Sequence, residues 1–222
     1  MGSGGSDSEQ SPSRVWCPKS STLTPDRTEL GRYLEDTIVV DWQTPAVLER
    51  TRDLVAGVEA DADELKRVDV LFRFVRDQVG DALESEVESV ACSASQVLHL
   101  GVGLAFSRCH LLAALLRSCG VPAGFGYQRL ARETGGTRLH GFVGAWLARR
   151  EIWVDLDPCG VAPGGPLSCP EVDSGLMDPV MEESELTYPT VWARPVREVT
   201  DLLDQAPNLA AIRTRLPAGL RG

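Results

Sequence analysis

Residues 104–119 (LAFSRCHLLAALLRSC) are apolar on nearly every side, and a helix without a polar face has to be surrounded by protein. Gly101 and Gly103 break the segment before it and Gly120-Val121-Pro122 stops it, a start and stop that fit a helix. The spacing therefore predicts a central helix around which the rest of the chain packs. The first turn of such a helix, residues 104–107, is where unpaired backbone N–H groups and the dipole favour an anion. A thiol placed there ionises readily, and the same N–H groups can receive an oxyanion. No thiol stands at that point; the position holds Ala105. Cys109 lies one turn further in and Cys119 near the far end, so both read as small apolar core residues. Ser107 reads as a first-turn polar residue.

Downstream, residues 139–147 alternate apolar with small residues and residues 150–157 (REIWVDLD) alternate polar with apolar, with Ala148-Arg149 between them. This is a hairpin pattern. A two-residue loop pairs Leu147 with Arg150, Val143 with Val154, and His140 with Asp157. Directly opposed residues have Cβ atoms roughly 4.5–5.5 Å apart, close enough for a carboxylate to hold one imidazole nitrogen and fix its tautomer. That is the base and orienter of a catalytic triad. The loop lacks the Asn-Gly or Gly chemistry that two-residue hairpins favour, which leaves the register open by one or two residues. A slip of one residue would send the two side chains to opposite faces. On spacing alone, a hairpin with a surface histidine and a solvated aspartate stays open beside the triad reading.

Thr44-Pro45 begins a predicted helix with Val47, Thr51, Leu54, Val55 and Val58 on one face. A second helix, about residues 62–79, carries Leu65, Val68, Phe72, Val75 and Val79 at alternating spacings of three and four, then stops at Gly80. Both read as core-facing packing helices. A strand is expected over residues 124–130, beside the cleft; it carries Tyr127 and Gln128, both candidates for contact with substrate. Gln128 either donates to substrate or makes a structural hydrogen bond. Residues 158–170 are rich in Gly and Pro and residues 171–185 are acidic, a lid or a plain solvated loop. Residues 200–216 are expected to be helical in part. The fold class that follows is α+β, with a central helix packed on a small antiparallel sheet.

At 222 residues the chain suits one domain with a real core, residues 14–222. Residues 1–13 (MGSGGSDSEQSPS) are expected to be a disordered tail, in part an expression remnant. With no apolar signal-peptide core and no stretch near 20 apolar residues, a soluble cytoplasmic location is expected. The six cysteines lack zinc-type pairing, and Cys159 and Cys169 have no histidine near them, so neither a metal nor another cofactor is expected. A net charge of −10 argues against nucleic acid and anionic membranes as partners. Of the 22 basic residues 20 are arginine, a skew that points to a GC-rich bacterial genome.

Several stretches together resemble the bacterial transglutaminase-like family of papain-type cysteine enzymes. In that family an ASxVL segment, a glycine-rich turn, Cys, KSHLLAALLR, GIPAGFCYQRL, LHGLNA and W-x-x-LDARGN recur. Here the matching residues are Ala94-Ser95-Gln96-Val97-Leu98, Gly101 to Gly103, Ala105, residues 108–117 and 120–130, Leu139-His140-Gly141, and residues 153–160. The resemblance implies a papain/transglutaminase-like fold and places the family's nucleophile on Ala105, its base on His140 and its orienting carboxylate on Asp157. Three departures carry information: Ala105 removes the sulfur, Pro158-Cys159 replaces Ala-Arg, and Gly126 replaces a common cysteine. Without the sulfur, acyl-enzyme chemistry is expected to be absent. Either a Cys→Ala knock-out stands at residue 105, or catalysis has been lost and the protein only binds.

The chain is also similar to the transglutaminase-like Dieckmann cyclases of tetramic acid and pyridone antibiotic biosynthesis. That resemblance implies a thioester substrate, a β-ketoacyl-aminoacyl chain on a carrier protein, which the thiol form releases as a ring. Because carrier proteins are usually acidic, docking one on a chain of charge −10 requires a local arginine patch. Cysteine peptidase, amidase or transglutaminase activity, and a catalytically dead binding module, are the alternatives, since fold and triad do not select the acceptor.

Overall fold

A computed structural model describes residues 23–59, 64–132, 135–159 and 185–220. The first half of the chain supplies β1 (Thr24–Pro25), a 3-10 turn (Leu30–Leu34), α1 (Pro45–Val55), α2 (Glu64–Gln78), β2 (Gly80–Asp81), a second 3-10 turn (Ala82–Glu84), α3 (Ala94–Leu100) and β3 (Val102–Gly103). Then follow α4 (Ala105–Ser118), β4 (Ala123–Ala131), β5 (Thr137–Leu147), β6 (Ile152–Leu156), β7 (Leu186–Thr187), β8 (Thr190–Val191), α5 (Arg197–Gln205) and α6 (Leu209–Arg215). The main sheet is antiparallel with strand order β6-β5-β4-β7. This is the expected α+β arrangement of helices around and against a small antiparallel sheet.

The all-round apolar run folds as the central helix. Leu111, Leu112, Ala113, Ala114, Leu115 and Leu116 of α4 are fully buried, enclosed by α1, α2 and α3 on one side and by β4 and β5 on the other. Full burial of each leucine contributes about 1.5–3 kcal/mol. The far end of α4 is tied down by Arg117, whose guanidinium donates to the carbonyls of Ala123, Glu35 and Ala193 at 2.6–3.0 Å. Burial lowers the pKa of this arginine to about 10.

The packing helices begin where their caps say they should. Pro45 occupies the first turn of α1 behind extended Thr44, and α3 opens with a reciprocal Ser93–Gln96 capping box and closes on Gly101 at φ 69°. Val47 and Thr51 of α1 are buried, as are Leu65, Val68, Phe72 and Val75 of α2 and Val79 just after it. The C-terminal segment is helical in two pieces, α5 and α6, and α5 starts at Arg197, three residues before the expected point.

The sheet is covered on both faces, which is why β4 and β5 show little polar alternation. One face, with Phe125, Tyr127, Gly141 and Val143, meets α4. On the other, Phe142 packs with Leu23, Tyr33, Trp153 and Val191. Glycines permit the close approaches: a Cβ on Gly126 would stand 2.1 Å from Phe142 Cζ, and one on Gly141 would stand 2.8 Å from the Phe106 ring of α4.

The hairpin differs from the expected register. Leu147 pairs with Ile152 and Val143 with Leu156, so the loop is Ala148–Glu151 and every pair is displaced by two residues from the two-residue-loop arithmetic. The reason is the turn. Arg150 N–H donates to the Leu147 carbonyl at 3.1 Å and Glu151 takes a positive φ of 52°, which lets a four-residue loop close where no Asn-Gly was available. His140 and Asp157 are therefore not directly opposed; Asp157 is the first residue after β6. A displacement of two preserves the face on which each side chain projects. The expected tail, residues 1–13, and all but the ends of the expected lid, residues 160–184, lie outside the described residues.

Candidate active site

His140 near the start of β5 and Asp157 at the exit of β6 meet through a 2.6 Å contact between Nε2 and Oδ2. Their side chains are 9% and 3% exposed. With the carboxylate accepting, Nε2 carries the proton and Nδ1 keeps its lone pair, the form a general base needs. The other carboxylate oxygen, Oδ1, accepts from the Cys159 backbone N–H at 2.8 Å, so a local Asx turn holds Asp157 in place.

Arg108 braces the same loop from α4. Its Nη2 donates to the Pro158 carbonyl at 2.9 Å and to the carbonyls of Val75 and Arg76 at 3.2 and 3.1 Å. One buried guanidinium thus joins α4, the last turn of α2 and the residue after Asp157. Sequence reasoning missed this role. The available signal was an arginine within a largely apolar helix, which has to find acceptors once buried.

Ala105 is the first residue of α4 and is half-buried. The Cys159 thiol approaches its carbonyl at 3.9 Å, which connects the start of the helix to the Asp157 turn. One turn on, the Cys109 thiol contacts the Gly141 carbonyl at 3.4 Å, next to His140. Leu104, the N-cap, gives no side-chain cap to the first-turn N–H groups. Ser107 is buried with its hydroxyl on the Leu104 carbonyl, a first-turn polar residue as expected. Among the described residues, the thiols of Cys109, Cys119 and Cys159 do not resemble nucleophiles. Burial raises Cys109 well above the ordinary thiol range and also raises Cys119. Cys159 is pushed up to about 12 by burial, with Arg108 opposing and Asp157 reinforcing the shift.

A family model for the transglutaminase-like superfamily matches residues 50–158, ending one residue after Asp157. Residues 50–158 are thus similar to the transglutaminase-like superfamily. The matched segment takes in α2, α3, α4 and the β4–β6 sheet. Superfamily members are typically Cys-His-Asp enzymes. Among solved structures, the chain is similar to one provisionally described as a cysteine protease from Cytophaga hutchinsonii, at 15% identity and TM-score 0.48, over 73% of this chain and 52% of that one. Another, provisionally described as a protease from Parabacteroides distasonis, is 12% identical with TM-score 0.37, over 56% of this chain and 25% of that one. The chain spans about half the length of the first and a quarter of the second. No curated protein matches the sequence.

Within the matched segment, Gln128 stands directly across from His140 in the β4–β5 register and is 1% exposed. Its Nε2 donates to Thr187 Oγ1 at 2.9 Å. Tyr127 projects to the other face, where its hydroxyl accepts the Val196 N–H at 3.1 Å and its ring packs near Phe106 and Trp192. The structure thus brings His140, Asp157 and Gln128 together, links Ala105 to them through Cys159, and uses Tyr127 to anchor the segment before α5. Among the described residues, no group of three or more His, Cys, Asp or Glu is arranged to hold a metal, and no helix is long and apolar enough to cross a membrane.

Proposed function

We propose that the matched segment holds a cysteine-type acyl-transfer site with Ala105 in the nucleophile's place, so that the chain as it stands holds an acyl substrate without forming an acyl-enzyme. The observation that carries this reading is the buried His140–Asp157 pair, a base with its orienter, connected through Cys159 to the first residue of a helix that lacks a side-chain cap. In a triad, the sulfur is the group that remains to be supplied.

With a thiol restored by Ala105→Cys, His140 takes the sulfur's proton and the thiolate adds to the substrate carbonyl. The C–S bond to the carrier then breaks, and the carrier thiolate leaves with the proton from His140. For this thiol form we favour ring closure. His140, neutral again, removes the proton between the two carbonyls of a β-ketoacyl-aminoacyl chain. The carbanion attacks the new thioester, a C–C bond forms, the enzyme's C–S bond breaks, and a tetramic acid is released. Support comes from the motif resemblance and from the low exposure of the pair, because a site that excludes water favours an internal carbon nucleophile over hydrolysis. The acyl chain arrives as a thioester on a carrier protein, which sets the place of action in the cytoplasm. The absence of sulfur at residue 105 favours a second reading, a module that binds acyl chains and has given up turnover.

The test uses the Ala105→Cys protein with an N-acetylcysteamine thioester of a β-ketoacyl-aminoacyl chain, followed by mass spectrometry of protein and product. A transient acyl adduct and a tetramate are expected. Hydrolysis of peptides or amides without ring formation moves the assignment to a peptidase; an intact thioester with no adduct leaves the binding module.

A further inference from the structure

Gln128 divides its amide between two tasks. The nitrogen is committed to Thr187 Oγ1, a contact made possible by the Gln128–Thr187 pairing of β4 with the edge strand β7. The oxygen, Oε1, is buried and has no hydrogen-bond partner among the described residues. An acceptor shut away from water and left unpaired is costly, and native structures tolerate it mainly where a ligand, ion or water completes it. This one is placed at the functional site. Gln128 and His140 are cross-strand partners, which puts their Cβ atoms roughly 4.5–5.5 Å apart on the face of the sheet that also carries the Asp157 contact.

We infer that Gln128 Oε1 accepts an N–H group from the substrate's acyl chain, which makes Gln128 the residue that selects amide-bearing acyl groups. The inference rests on the acyl-substrate reading above and narrows it. Thr187 Oγ1 accepts from the nitrogen, which leaves the oxygen as the open end of the amide. That open end lies on the same face of the sheet as the imidazole. An acyl group with an amide one or two bonds from the reacting carbonyl supplies the missing donor. A simple fatty acyl or ester-linked chain does not, and leaves Oε1 unpaired after water has been excluded.

The chain with Ala105 permits a direct test because it binds without turnover. The probes are N-acetylglycyl and acetoxyacetyl thioesters of N-acetylcysteamine, which have the same size and differ by N–H against O. Calorimetric titration is expected to show the amide binding at least about tenfold more tightly, since a site built around a hydrogen bond rejects the analogue that lacks it. In Gln128→Leu the ratio is expected to fall to near one through loss of amide affinity, with the ester unchanged. Equal binding of the two probes by the unmodified chain overturns the inference whether or not the variant folds, as does a preference that survives in Gln128→Leu, or no measurable binding of either. The acyl-transfer reading fails separately. If Ala105→Cys forms no adduct while the chain still prefers the amide, the transfer chemistry is lost and the role of Gln128 stands. If adducts form equally fast from both probes, the reverse holds.

Discussion

The Gly126→Ala substitution tests how tightly the sheet beneath the site is packed. A Cβ at residue 126 would lie 2.1, 2.2 and 2.7 Å from three carbons of the Phe142 ring, all well inside contact distance. The ring has little room to retreat, because Phe142 is fully buried among Leu23, Tyr33, Trp153 and Val191. Overpacking of this kind costs about 1–3 kcal/mol, and with a rigid ring as the obstacle the upper end applies. For a chain of this size 3 kcal/mol corresponds to a fall in Tm of roughly 6–12 °C. Phe142→Leu alone should cost about 1–2 kcal/mol through the space it leaves. The double variant should then be more stable than the sum of the two losses by at least about 1 kcal/mol, the mark of residues in direct contact. The resembling motif, which reads Cys and Leu at these two positions where this chain has Gly and Phe, is the same exchange of volume made in the opposite direction. Thermal melting by circular dichroism of the four proteins decides it. A Gly126→Ala protein that melts within a degree of its parent, or strictly additive losses, would refute the packing argument.

In the Ala105→Cys background, Asp157→Asn should slow acylation by a factor on the order of 10²–10⁴ by presenting the wrong imidazole tautomer; stopped-flow rates within threefold of the parent would contradict this role. Arg108→Met removes three hydrogen bonds from a charged donor and should lower unfolding free energy by about 3 kcal/mol, seen as an earlier urea midpoint at unchanged slope. His110 is buried, with Nδ1 at 2.7 Å from the Cys92 carbonyl, and burial pushes its pKa down from 6.5 to about 4. The unfolded chain therefore binds the extra proton between those values. The stability contributed by neutral His110 is complete above pH 6.5 and is lost as pH falls toward 4, by about 3 kcal/mol in all. Melting curves of His110→Gln across that range should be flatter than those of the parent; parallel curves would sink the assignment.

The central helix was legible because its evidence is local: residues 111–116 are apolar without a break and admit one burial state. Pro45, the Ser93 box and Gly101 likewise announce helix ends through nearest neighbours. The His140–Asp157 contact was legible only in part. Alternation gave the shared face, but the loop length depended on Glu151 accepting a positive φ, which its side chain does not advertise. Arg108 and Gln128 mark the limit. An arginine whose acceptors come from α2 and from the residue after Asp157, and a glutamine whose anchor is Thr187 in a strand 59 positions away, depend on long-range pairing that no local pattern encodes.

The displaced hairpin also says what kind of length variation this site can survive. Adding or deleting residues at the tip in even numbers slides one strand along the other while leaving the imidazole and the carboxylate on a common face. An odd insertion would invert the whole of β6, sending the aspartate into the apolar interior and a hydrophobic side chain toward the histidine. Relatives of this chain should therefore differ at that tip by twos, and a library of tip insertions should alternate between competent and defective with each residue added.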